Sequence, residues 1–225
     1  MTESRPNPAP SLPDAGLDRD PFRGMKTGTL GMTIFLISLA ALFGATMIGW
    51  LIMAIVLRNR TTFIDDAGHE VVLPPMPDLP GLPWLLWVST LVILVSSGTI
   101  QWAKNSARRD HQPGVRWGAN LTLMLGFVFL ALQTVCWFQW VDRAWGAMDA
   151  SHDAYRFAAT GFLVLSGLHA AHVVGGLVPL IIVAVRARAG RYGPANHAGL
   201  DHVALYWHFL DVIWVIMFLG LVVAG

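Results

Sequence analysis

One cysteine, Cys136, in 225 residues leaves no intramolecular disulfide and no cysteine cluster, which excludes covalent staples and iron–sulfur chemistry. Charge is also scarce. Only 13% of residues are charged against 55% hydrophobic, too few to solvate a globular domain of this length. The net charge is +1, and the fifteen Lys and Arg are dispersed among segments with no clustered basic face, so nucleic acid is not an expected partner. There is no G-x-S-x-G, no phosphate-cradling glycine loop and no pair of acids at mid-membrane to divide acid and base roles. The composition therefore points to a membrane as solvent, and the missing motifs point away from an active site carried by this chain.

Present instead are five long apolar runs, at about 30–57, 83–103, 117–140, 155–185 and 201–223. Each reaches the roughly 20 residues that cross a bilayer as a helix. The expected fold is all-α, an integral membrane bundle of five transmembrane helices over residues 30–225. Residues 1–29, rich in Pro, Asp and Arg and without an apolar h-region or cleavage signature, read as a flexible cytoplasmic tail and not a signal peptide. Lys and Arg fall unequally outside the runs. Eleven lie in the tail, the second loop and the fourth loop, against four (Arg58, Arg60, Arg143 and Arg156) on the other side. This bias predicts a cytoplasmic N-terminus and a C-terminus outside. The first loop, with Pro74, Pro75, Pro77 and Pro80, is expected to be an extended outer segment. Trp84, Trp87, Trp102, Trp117, Trp137, Trp140 and Trp145 fall near helix ends and read as anchors at headgroup depth.

Ionisable or amide side chains inside the runs are few, and each needs a partner, a protein interior or a job. The fourth run places His169 and His172 three residues apart on one helix face. The fifth places His208 and Asp211 at the same spacing, and Gln133 stands within the third. Three readings apply: ligands of a metal or haem, for which further ligands would have to come from His202, His208 or Asp211; a proton relay begun by His208 and Asp211, whose continuation across the bilayer is not visible; or buried polar groups, with His208 and Asp211 as a pair and the fourth-run histidines bonded to neighbouring helices or a partner subunit. The last is favoured, since neither a complete ligand set nor a complete relay is legible.

The run Tyr206–Phe218, YWHFLDVIWVIMF, resembles the closing helix of subunit III of haem-copper terminal oxidases, whose pattern is Tyr/Phe-Trp-His-Phe-x-Asp-x-x-Trp. The fourth run is similar to the family's Thr/Ser-Gly-x-His-x-x-His-Val-x-x-Gly segment through Ser166, Gly167, His169, His172, Val173 and Gly176. Asp201 stands where the family usually has glutamate. Looser agreement extends to Ser96, Ser97, Thr99, Gly126 and Gln133, and to Gly31, Met32, Phe35 and Ser38 in the first run. Leu39 and Cys136 occupy positions where the family commonly has glutamates, so any role of the first-helix carboxylate in proton uptake does not carry over. The length matches the short five-helix bacterial form, which lacks the two N-terminal helices forming one wall of the long form's lipid-filled cleft.

The resemblance implies a subunit of a cytochrome c oxidase complex that carries no haem or copper itself, packed beside the catalytic subunit I, with subunit II in the same complex and membrane lipid around it. It implies a bacterial inner (plasma) membrane, aerobic respiration, and support of stability and proton delivery. Two rivals are compatible with the sequence: a related accessory protein of a nitric oxide reductase or quinol oxidase, and a small haem-binding cytochrome using His169, His172, His202 and His208 directly.

Overall fold

The computed structural model describes residues 27–58, 62–64, 68–72, 82–146 and 153–224. Five helices follow in order: α1 (Thr27–Arg58), α2 (Leu85–Arg108), α3 (Gln112–Gly146), α4 (Asp153–Arg188) and α5 (Ala198–Ala224). All five are long and apolar enough to cross a membrane, as expected. The shortest, α2 with 24 residues, is about 36 Å long at 1.5 Å per residue, against a hydrocarbon thickness of about 30 Å. The helices outrun the apolar segments because backbone hydrogen bonds closed within a helix persist into the headgroup layer. Thr27–Thr29, assigned to the tail by sequence, form the first turn of α1; the rest of the expected tail lies outside the described residues, as do the four prolines of the first loop. That loop holds two short antiparallel strands, β1 (Thr62–Ile64) and β2 (Glu70–Val72), with Phe63 opposite Val71.

Helices α2 to α5 form a ring: α2 packs on α3, α3 on α4, α4 on α5, and α5 returns to α2. The first helix lies outside this ring, against α4 and α5. Only 17% of its most apolar window is buried, compared with 44% in α4 and α5. A tight connection joins α2 to α3. His111 N–H donates to Ser106 O at 2.9 Å, and Asp110 takes the left-handed conformation (φ 54) that closes the helix end. The two helices then run close together at Gly118, where a Cβ would stand 2.8 Å from the Cβ of Ala103 and 2.9 Å from the carbonyl oxygen of Thr99.

Water is absent from the bilayer core, so polar groups in the ring find each other across helices. Trp207 Nε1–H donates to Ser96 Oγ at 2.9 Å, Trp214 Nε1–H to Thr90 Oγ1 at 3.0 Å and Trp137 Nε1–H to Ser166 Oγ at 2.9 Å. Thr99 and Thr122 share a 2.8 Å hydroxyl bond between α2 and α3. Of the tryptophans expected at headgroup depth, Trp84, Trp87, Trp102 and Trp117 are exposed on the bundle surface. Trp137 and Trp140 are not: the first is bonded to Ser166, and the second is buried, with its ring centroid 4.6 Å from that of Phe162. Their position near the end of an apolar run did not reveal that this end of α3 packs against α4. The side chain of Trp145 lies outside the described residues.

Candidate functional site

The intramembrane polar side chains fall into three settings. The first is the ring interior. His169 on α4 is 0% exposed, with its ring against Trp214 (centroids 5.1 Å apart), Phe129 (6.0 Å) and Phe43 (6.1 Å). Gln133 on α3 is 1% exposed. Its position follows from two contacts that bracket it: Phe129, one turn before it, meets His169, and Trp137, one turn after it, meets Ser166. Neither ring nitrogen of His169 and neither amide atom of Gln133 has a hydrogen-bond partner among the described residues.

The second setting is a cleft of about 480 Å³ where α1 lies on α4 and α5, lined among others by His172, His202, Tyr206, Phe35 and Pro179. His172 turns back onto its own helix and donates from Nδ1 to Leu168 O at 2.7 Å. His202 meets the Thr29 hydroxyl at 3.3 Å, and the Tyr206 hydroxyl donates to His172 O at 3.0 Å.

The third setting is the seam between α2 and α5. His208 and Asp211 were expected to bond to each other; the seam gives His208 other partners. Its Nδ1 lies 2.6 Å from Ser97 Oγ and its Nε2 lies 3.2 Å from Gln101 Oε1. An amide oxygen only accepts, so Nε2 carries the donated proton, and Nδ1 of the neutral ring accepts from Ser97. Gln101 in turn donates to Asn105 Oδ1 at 3.1 Å. Asp211 is 3% exposed and opens with Ser97 and His208 on a cleft of about 290 Å³ walled by Leu94, Val212, Val215 and Ile216. Ser97 is the hydroxyl beside it, but the one Ser97 proton is directed to His208, and neither carboxyl oxygen accepts a hydrogen bond among the described residues. Toward the end of α2, Asp201 lies 3.3 Å from Lys104, 3.4 Å from His197 and 3.8 Å from Arg108.

The four histidines weighed as haem ligands thus divide: His172 and His202 line the α1 side, His208 faces α2, and His169 stands between aromatic rings. They do not converge on one group. Sequence reasoning missed Gln101 and Lys104, and saw Ser97 only as part of a loose pattern. Their spacing carried the signal. Ser97, Gln101, Lys104 and Arg108 recur every three or four residues on α2, as Asp201, His208 and Asp211 lie on one face of α5.

Fold and polar groups together define a polytopic helical membrane protein whose hydrogen-bonding side chains join helix to helix. The chain belongs to the cytochrome c oxidase subunit III family: the family model described as "Cytochrome c oxidase subunit III" matches residues 22–225. It is 31% identical over 154 residues to a probable cytochrome c oxidase subunit 3 of Rickettsia bellii, covering 68% of this chain and 52% of the relative. It is similar to cytochrome c oxidase subunit 3 of Corynebacterium diphtheriae (33% over 132 residues, 59% of this chain and 62% of the relative). It is also similar to that of Gallus gallus (29% over 134 residues, 60% and 48%). The chain spans about half to three-fifths of the length of these relatives.

Proposed function

We infer that this chain is the non-catalytic subunit III of a respiratory haem-copper oxidase of the cytochrome c oxidase type. The observation that carries this reading is the family match across all five helices. In this role the chain packs beside subunit I, in a complex that includes subunit II, and supports assembly, stability and proton delivery while haem and copper reside in the partner. The broad apolar surface suits a helical neighbour or lipid: Ile34, Ile37, Ile48 and Ile52 on α1 are all exposed. The proposed location is the bacterial inner membrane, with the N-terminus in the cytoplasm and the C-terminus outside, supported by the eleven-to-four distribution of Lys and Arg. Function as part of a larger assembly also suits His169, Gln133 and Asp211, which are buried without being arranged around one ligand.

The test is purification of the tagged chain from its own membranes in mild detergent, with identification of every copurifying subunit and a visible spectrum of the complex and of the chain expressed alone. A large haem- and copper-containing partner together with a colourless isolated chain is the expected result. A stoichiometric haem on the isolated chain would overturn it.

A further inference from the structure

We propose that Asp211 is a mid-membrane proton-exchange site, connected through Ser97 and His208 to the arginine-rich end of α2. It deepens the proton-delivery part of the function above and rests on that reading only for the use to which the proton is put.

The depth of the site comes first. Asp211 is the fourteenth of the 27 residues of α5, and Ser97 the thirteenth of the 24 of α2, so both lie near the middle of their spans. Ten residues, or about 15 Å at 1.5 Å per residue, separate Asp211 from Asp201 at the start of α5. That distance is half the hydrocarbon thickness. A carboxyl group at this depth is costly unless it has a partner or a function. Neither oxygen of Asp211 has a partner among the described residues.

Between the two acids the seam is a directed series of hydrogen bonds. Ser97 donates to His208 Nδ1, His208 Nε2–H donates to Gln101, and Gln101 donates to Asn105 at an exposed part of α2. Every donor points away from Asp211. Ser97 and Asp211 line the same cleft. Once the two side chains close to hydrogen-bond distance, a proton on Asp211 meets the lone pairs of the Ser97 oxygen, and transfer follows in balance. The Asp211 O–H breaks as a new Ser97 O–H forms, the original Ser97 proton passes to His208 Nδ1, and the Nε2 proton of the resulting imidazolium leaves to water beside Gln101. The carboxylate is left behind, His208 returns to neutral as its other tautomer, and the reverse sequence loads the site. Imidazole is the side chain that can take a proton on one nitrogen and release another from the second.

The charged groups around this path come from the two seam helices and the one behind them. From α2, Lys104 and Arg108 face it; Lys104 is near enough to act electrostatically on His208. From α5 and the turn before it come Asp201 and His197, and on α4 His169 lies behind Trp214. The Lys104–Asp201–His197 cluster marks the aqueous mouth.

The experiment uses the purified native complex, with its subunits identified. Infrared spectra recorded after a switch from H2O to D2O give the carboxylic C=O band lost in Asp211→Asn. We expect this band to shift within the mixing time in the wild-type complex, at least about tenfold more slowly in Ser97→Ala, and again rapidly in Ser97→Thr, which restores the hydroxyl. A wild-type band that stays unshifted for minutes, or one that exchanges equally fast in Ser97→Ala, overturns the proposal. So does the absence of any Asp211-dependent band, which would mean a carboxylate held by a cation of a partner helix in the cleft. If Asp211→Asn does not assemble, a carboxylic band whose exchange slows in Ser97→Ala and recovers in Ser97→Thr supports the proposal, and no such band overturns it. A chain purified without a haem-copper partner would sink the functional reading alone, because the same exchange can be recorded on it.

Discussion

The indole of Trp207 on α5 reaches across the ring to donate to Ser96 Oγ on α2 at 2.9 Å, and its far edge lies where a Cβ on Gly126 of α3 would be, 3.0 Å away. One side chain thereby ties three helices together. It needs a hydroxyl on one neighbour and no side chain on the other. Trp207→Phe keeps most of the buried ring and strands the Ser96 hydroxyl. The expected cost is about 1 kcal/mol, because interhelical hydrogen bonds in membranes are worth little more than this. The thermal midpoint of the detergent-solubilised protein checks it, and Trp207→Phe combined with Ser96→Ala should recover part of the loss.

Gly118 is expected to tolerate no methyl group on the α2–α3 face without a shift of the helices. Its Cβ would meet Ala103 and the backbone of Thr99, neither of which can swing aside. Gly118→Ala should cost about 1–3 kcal/mol through forced separation of the helices. Gly49 on α1 has nothing within 4 Å and serves as the control. Equal midpoints for the two variants would show that α2 and α3 are not held this closely.

Gln133 has a buried amide with neither donor nor acceptor used among the described residues. Burying such a group without partners costs about 1–3 kcal/mol, so Gln133→Met, similar in length and apolar, should leave the midpoint unchanged or raise it. A clear drop would show that the amide does form bonds, through internal water or through a neighbouring subunit.

Tyr192, in the turn between α4 and α5, is buried, and burial pushes its phenol above its ordinary value of 10.0, with Arg186 opposing the shift. A folded-state value raised above the unfolded one gives a stabilisation fully present below about pH 10 and lost as pH rises through the folded value. Stability of the wild type should therefore fall above pH 10 more steeply than that of Tyr192→Phe. Parallel midpoint curves for the two from pH 8 to pH 11 would contradict this.

The five spans were legible because a bilayer imposes a length that apolar runs display directly. Their ends were not, since Gln112–Arg116 is polar yet helical. The spacing of His169 and His172 puts them on one broad face, but three residues are about 300° of turn. The remaining ~60° turns His169 onto Trp214 and Phe129 and leaves His172 in the cleft beside α1, with Phe43 of α1 meeting both rings. Nor could the spacing of His208 and Asp211 disclose that His208 bonds to Ser97, 111 positions earlier. A partner on another helix leaves no mark on the periodicity of its own.

The ring closes only where α5 meets α2, and this sets the order of synthesis against the order of assembly. Helices α2, α3 and α4 emerge from the ribosome before the segment that completes them. Until the 27 residues of α5 are inserted, the Ser96 and Thr90 hydroxyls and the slot beside Gly126 wait without their indoles. A chain stalled before Ala198 would therefore present an open polar flank to lipid and to the quality-control proteases that survey it. The two tryptophans of the closing helix are, in that sense, the mark by which a finished molecule differs from an unfinished one.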